Sequence, residues 1–160
     1  MTTIRDIRVP EDLWERASFL RRAEWRATIE DLLHDARLSP KYAGYYLLVT
    51  PKEETTSIEF LDEEGEVRAS VVVSHSVTEV VLREYLQIIK KMDLEAHETG
   101  RLEALDMGKK VVHDAAAREL RRTLPDLAED HATYRKLFTL LVALQVDTTK
   151  LVHARSHAMR

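Results

Sequence analysis

YAGYYLLVTPKEETTSIEFLDEEGEVRASVVVS, residues 42–74, decides the fold class. Residues 42–50 are rich in aromatic and aliphatic strand formers, and Pro51-Lys52-Glu53-Glu54 reads as a turn. Residues 56–61 alternate in a strand-like way. Asp62-Glu63-Glu64-Gly65 is a second turn built around a glycine, and residues 67–74 form a third strand. Three short strands joined by tight turns predict an antiparallel meander. Such a sheet needs one face covered, and the flanking segments offer helices to cover it.

On the N-terminal side, Pro10-Glu11-Asp12 reads as a helix start, with acids facing the positive helix end. From there to about Arg37, the residues Leu13, Trp14, Ala17, Leu20, Trp25, Ile29, Leu32 and Leu33 mostly fit a helical stripe. Arg16, Arg21, Arg22 and Arg26 lie between them. The pattern fits one long helix or a helix pair broken near Ala23, and Ser39-Pro40 stops it. On the C-terminal side, Ser76 and Glu79 have capping-box spacing. The helix they open carries Val80, Val81, Tyr85, Ile88 and Ile89 inward, to about Met92. Thr99-Gly100 starts the next, with Leu102, Leu105, Val112, Ala116 and Leu120 on one stripe and Pro125 at its end. Asp130 caps a last helix that turns Tyr134, Leu137, Phe138, Leu141 and Leu144 inward. The expected architecture is α+β: a long N-terminal helix or helix pair, a three-stranded antiparallel meander, then three helices. It forms one domain over residues 1–147. A basic tail, 148–160, extends the last helix or frays.

A chain of 160 residues is long enough to bury a core without staples, and it contains no cysteine. That excludes disulfides, thiolate metal sites and a cysteine nucleophile. The first residues lack the apolar core of a signal peptide, and no run approaches the ~20 apolar residues of a membrane span. The expectation is a soluble, cytoplasmic protein with no membrane partner. The net charge of −4 argues against a general polyanion binder. With four glycines, the chain has neither GxGxxG nor GxxxxGK[ST].

The stretch RLEALDMGKKVVHD, residues 101–114, sets complementary polar groups at helical spacing. Asp106 lies one turn before Lys110, and Lys109 one turn before His113. One reading is an acid–base pair, with His113 and Asp106 as the catalytic candidates and Asp106 or Asp114 orienting the imidazole. Lys109, Lys110, Asp114, Tyr85 and Arg135 are the candidate ligand-binding residues around it. The other reading is a helix surface with one ordinary i,i+4 pair and a half-buried histidine bonded to nearby backbone. Gly108 calls for a packing or access reason, since a mid-helix glycine costs roughly 1 kcal/mol against alanine.

The other constellations carry less. His153 and His157 share a face if the tail is helical, but no third ligand stands at a convincing spacing; His97 beside Glu95 and Glu98 is no better. No metal and no cofactor are expected. Ser74-His75-Ser76 reads as a helix start, because sequence neighbours on a strand point to opposite faces. The arginines of the first helix, with Trp14 and Trp25, suggest stacked bases. Glu11, Asp12, Glu15, Glu24, Glu30 and Asp31 cancel that field, so nucleic acid ranks below a protein partner.

Residues 102–114 resemble a bacterial family known as uncharacterised protein family 0262, whose members carry roughly I-E-A-I-D-M-G-R-R-x-x-H-N. The match has no gap. Lys109-Lys110 replaces the arginine pair and Asp114 the asparagine. Residues 135–140 (RKLFTL) resemble the family's R-R-L-F-T-L, residues 62–65 its D-E-D-G turn, and Arg83-Glu84-Tyr85 its K-D-Y. The resemblance covers about residues 24–144. Asp114-Ala115-Ala116-Ala117 departs from the family's N-E-G-S and favours uninterrupted helix. Lysines also cannot make the planar two-point contacts of arginines. The resemblance implies a domain and no activity.

The reading leans away from an enzyme. It expects a non-catalytic, cytoplasmic regulatory or adaptor module that forms a homodimer and binds a protein partner. The alternatives are a small enzyme or anionic-ligand binder using His113, Asp106 and Lys109, and nucleic-acid binding through the arginine-rich first helix.

Overall fold

The computed structural model describes residues 4–94 and 99–147, with only part of the side chains between 77 and 106. Pro10, with φ −54°, stands just before helix α1 (Glu11–Arg16), and Glu11 and Asp12 occupy its first turn. The chain then becomes extended at Ala17 and Ser18. Ser18 accepts a hydrogen bond from the Arg21 amide at 3.2 Å and opens α2 (Phe19–Asp35). The helix pair therefore breaks here and not near Ala23. Serine offers a side-chain acceptor to the free amides of a helix start, whereas alanine is the best helix former. Leu20 does not join the inward stripe, since both Phe19 and Leu20 are exposed.

Strand β1 (Asp6–Arg8) precedes α1, and the two helices carry the chain across to β2 (Tyr46–Pro51), which pairs with β1 in parallel. β2, β3 (Thr55–Leu61) and β4 (Val67–Ser74) form the expected antiparallel meander, with Val49 opposite Ile58 and Ile58 opposite Val71. The sheet is therefore four-stranded and mixed, in the order β1-β2-β3-β4. Two boundaries move. Residues 40–42 form a 3-10 turn, and Gly44 sits at φ +82°, a conformation open to glycine; β2 begins only after it. Pro51 ends β2 opposite Thr56 and does not open the turn. β1 reaches only as far as Leu48, so the missing proline amide leaves no bond unmade on that side.

Helix α3 (His75–Leu94) follows β4 without a loop. Its first turn is bonded through Ser74, whose hydroxyl accepts from the Ser76 amide at 3.3 Å. The proposed Ser76–Glu79 capping box is absent, and Glu79 pairs with Arg83 instead. His75 fastens this junction. Its Nδ1–H donates to the Glu53 carbonyl (3.2 Å), which leaves Nε2 to accept from the buried Thr56 hydroxyl (2.9 Å). α4 (Thr99–Thr123) returns along α3, and α5 (His131–Gln145) starts at Asp130, whose carboxylate accepts from the Thr133 amide at 3.0 Å.

The core lies between one sheet face and α5. Leu47, Val49, Ile58, Phe60 and Val73 are buried on the sheet side, and Tyr134, Leu137, Phe138, Leu141 and Leu144 on the helix side. α2 and α4 flank α5, burying Trp25 and Leu32 on one side and Val112, Ala116 and Leu120 on the other. Tyr42 stacks on Phe60 with ring centroids 3.9 Å apart. No helix among the described residues is long and apolar enough to cross a membrane. The side chains of Leu102, Leu105, Tyr85 and Asp106, and all of residues 148–160, lie outside the described part.

Candidate functional site

The α4–α5 seam gathers His113, Asp114 and Arg135. His113 projects half-buried from α4 onto α5, its ring 5.2 Å from that of Phe138. Its Nε2 lies 3.1 Å from the Arg135 carbonyl and 3.0 Å from the Thr139 hydroxyl oxygen. The Thr139 hydroxyl donates to that same carbonyl, so Nε2 carries the proton and donates to both oxygens. Asp114 does not orient this ring. One of its carboxylate oxygens accepts from His131 Nε2 at 2.9 Å and meets Arg135 Nε at 3.4 Å. The latter is an ion-pair contact without hydrogen-bond alignment, and it leaves Arg135 Nε buried and unbonded. Lys136 bridges to Asp31 (2.8 Å) and Asp35 (3.7 Å) of α2.

The residues Asp31, His113, Ala132, Arg135, Lys136 and Thr139 line a shallow cleft of about 290 Å³. His113, Asp114 and Arg135 are thus brought together, Lys109 sits close enough to His113 to act on its charge, and Lys110 is exposed. Asp106 and Tyr85 belong to α4 and α3, with side chains outside the described part. His97, His153 and His157 also lie outside it. Among the described residues no group of three or more His, Asp or Glu side chains could hold a metal.

Burial, with the positive charges of Arg135 and Lys109, holds His113 below the ordinary imidazole value, against the pull of the Arg135 carbonyl and Asp114. The folded state thus prefers the neutral ring. Its stabilising contribution is complete above the unfolded value of about 6.5 and erodes as the pH falls below it. The urea midpoint should drop between pH 7 and pH 5. His113→Gln, which keeps a donor and removes the titration, should flatten that slope; an unchanged slope assigns the loss elsewhere. Asp114 behaves in the same sense, at lower pH. The hydrogen bond from His131, aided by Arg135, lowers its carboxyl below the usual range, so its contribution disappears only as the pH falls through that depressed value.

Gly108 is not explained by close packing. A Cβ built on it would meet Ile88 Cδ1 at 3.6 Å, ordinary van der Waals contact. Gly108→Ala should therefore stabilise the fold by about 0.5–1 kcal/mol, read as a higher urea midpoint.

A second concavity, absent from the sequence reading, lies between β1, α1 and α2 and encloses about 560 Å³. Ile7, Val9, Trp14, Ile29 and Leu33 give it an apolar lining; Arg8, Arg26, Glu11, Glu30 and Asp6 edge it. The Arg26 guanidinium lies 5.3 Å from the centroid of the Trp14 ring. Asp6 is engaged by Arg8 at 3.3 Å and accepts from the Ile7 amide at 2.9 Å. In α2, Ile29 and Leu33 stand one turn apart on its wall, and Arg26 and Glu30 one turn apart at its edge. Trp25 is separated from this groove, fully buried and donating from Nε1 to the Ala143 carbonyl at 2.9 Å.

Comparison with known proteins finds relatives along most of the chain. The chain is 29% identical to a UPF0262 protein of Sphingopyxis alaskensis over 133 residues, covering 77% of this chain and 81% of that one. It is 28% identical to a UPF0262 protein of Rhizobium johnstonii, covering 76% and 81% respectively. A UPF0262 protein of Rhodospirillum rubrum matches at 26% over 81% of this chain and 87% of its own length. No solved structure is a significant match. The family profile spans residues 1–147, the whole helix-and-sheet unit, and the chain belongs to the uncharacterised protein family UPF0262.

Proposed function

We propose that this chain is a non-catalytic cytoplasmic regulatory or adaptor module, acting as a homodimer, and that it takes a short segment of a protein partner into the groove between β1, α1 and α2. One contrast carries the reading. The α4–α5 groups are engaged with one another, while the groove presents apolar surface with charges at its edge. An enzyme built on His113 would have to give up the bonds of its Nε2 proton to the Arg135 carbonyl and Thr139. Asp114, one of the two acids that could orient its ring, is held by His131 and Arg135. Base stacking on the first helices is opposed by the burial of Trp25.

The groove lies along β1 and against one wall of α2, a frame suited to an extended peptide whose apolar side chains enter between them. Four residues of β1 and its continuation, 6–9, extend roughly 13 Å, enough for a short anchor. Self-association has a separate surface: the outer edge of β4, where Val67 and Val72 are exposed. Short peptides combining adjacent apolar residues with flanking charges, titrated against the full chain and followed by Trp14 emission, test the reading. Binding should weaken at least about tenfold on Ile29→Glu, which removes an apolar wall and buries a charge. Absence of binding by any such peptide, or binding indifferent to Ile29→Glu, overturns it. Sedimentation equilibrium tests the dimer, which a strict monomer would exclude.

A further inference from the structure

We propose that β4 pairs antiparallel with the β4 of a second copy, on a two-fold axis at Val72, and that the joined sheet holds a partner groove at each outer end. The pairing deepens the reading of the chain as a homodimer; the use of the two ends rests on the reading of the groove as a partner site. The first observation is a bare edge. β4 is the last strand of the sheet, and no strand among the described residues pairs with its outer side. The His75 amide donates to the Glu54 carbonyl (2.8 Å), which fixes the alternation of the β3–β4 ladder. Val71 and Val73 therefore spend their main-chain groups on Ile58 and Thr56, while those of Ser70 and Val72 and the Ser74 amide point outward. Strand edges are ordinarily blunted by charge, proline or a bulge. Here the irregular step at Phe60/Leu61 and Arg68, which is held by Asp62 and Glu66, sit at one end of the strand. Residues 69–74 carry neither charge nor proline.

The second observation is self-complementarity. Residues 70–74 read SVVVS, the same in both directions. A two-fold axis at Val72 sets that residue against its own copy, Val71 against the copy's Val73, and Ser70 against the copy's Ser74. Valine meets valine and serine meets serine at every position. Val72, 56% exposed in the single chain, gains cover. It also exchanges both main-chain bonds with its copy, and each Ser74 amide reaches the copy's Ser70 carbonyl. Arg68 falls beyond the paired stretch, so no cation faces a cation. The axis stands perpendicular to the sheet, which puts both helix layers on one side. The sheet then runs β1-β2-β3-β4-β4-β3-β2-β1, with its two β1 strands about 34 Å apart. The partner suited to this dimer presents two groove segments at about that span.

Val72→Pro tests the pairing. The β3 ladder does not use the Val72 amide, so an edge proline is tolerated in the monomer and deletes the bonds of the central pair. The dimer dissociation constant of the full chain, from sedimentation equilibrium, should rise at least about tenfold. Val72→Lys, which places like charges on the axis, should do the same. The chain has no cysteine, so Val72→Cys supplies a single thiol that a short bismaleimide should join into covalent dimers. Leu20→Cys, exposed on α2, should not be joined. A parent chain that stays monomeric at every concentration overturns the pairing together with the homodimer reading. A dimer indifferent to Val72→Pro and Val72→Lys, and not joined through the Val72→Cys thiol, overturns the pairing and leaves the homodimer reading standing. Two copies of the tightest groove peptide, joined by about 40 glycine and serine residues, should bind the parent at least about tenfold more tightly than one copy. Val72→Pro should abolish that gain, and a gain that survives it overturns the two-ended arrangement. Absence of single-peptide binding overturns the groove reading and the two-ended use with it, and not the pairing.

Discussion

Trp25→Ala should cost about 3–5 kcal/mol of folding free energy, the range for truncating a large aromatic side chain in a packed core. Trp25 is fully buried and holds the two helices of its interface together by three means. Its ring fills the space between α2 and α5. Its Nε1–H satisfies the carbonyl of Ala143, in the last turn of α5, where main-chain acceptors run out of helix partners. Arg21 lies over the ring at 5.0 Å while donating to the carbonyl of Leu144. The alanine variant removes the packing and leaves a cavity, and the Ala143 carbonyl loses its donor. Trp25→Phe separates these effects: it retains most of the apolar surface and gives up the hydrogen bond, for about 1–3 kcal/mol. Urea denaturation of both variants checks the order. A Trp25→Phe loss equal to that of Trp25→Ala would place the whole effect in the hydrogen bond.

The parts of this fold that announce themselves are those whose periodicity is long enough to be read. Residues 46–74 alternate through three strands, and α5 turns Tyr134, Leu137, Phe138, Leu141 and Leu144 inward as its spacing predicts. β1 is three residues long, too short for alternation, and it becomes a strand only because Tyr46, Leu47 and Leu48 stand beside it. The helix break at Ser18 has a capping serine but no acid three residues on, so nothing local ranked it above a break near Ala23. The cluster shows the same division. His113 was legible as a half-buried group bonded to backbone, yet its partners, Arg135 and Thr139, lie 22 and 26 residues away. Sequence nearness pointed to Asp114, which a helix turns toward His131 instead. The groove was invisible for a similar reason: its two sides come from β1 and from residues of α2 that, in sequence, look like the rim of an ordinary core stripe.

Tyr134→Phe should destabilise by about 1–3 kcal/mol, although it removes one oxygen atom and no apolar surface. The Tyr134 hydroxyl donates to the Leu124 carbonyl and accepts from the Ala128 amide at 3.2 Å. It thereby closes the link between α4 and α5, whose other ties include the bonds of the Ser39 amide to the Leu127 carbonyl (2.9 Å) and of the Glu129 amide to the Arg37 carbonyl (2.8 Å). Both groups that Tyr134 serves are main-chain atoms in a connection held against the core; Ala128 is buried and Leu124 packs half-buried against the core, so water cannot readily replace the lost partner. Burial also raises the Tyr134 phenol above its ordinary value, against the hydrogen bond from Ala128 and the charge of Arg121. A raised folded value means that the unfolded chain ionises first, so the stabilising contribution is complete below about pH 10 and is lost as the pH rises above it. Tyr134→Phe should therefore lower the urea midpoint at pH 7 and, at the same time, shallow the fall in stability on the alkaline side. A variant as stable as the parent at pH 7 would show that the connection is held without the tyrosine hydroxyl, by its remaining bonds. A lower midpoint with an unchanged alkaline slope would assign that slope to other groups.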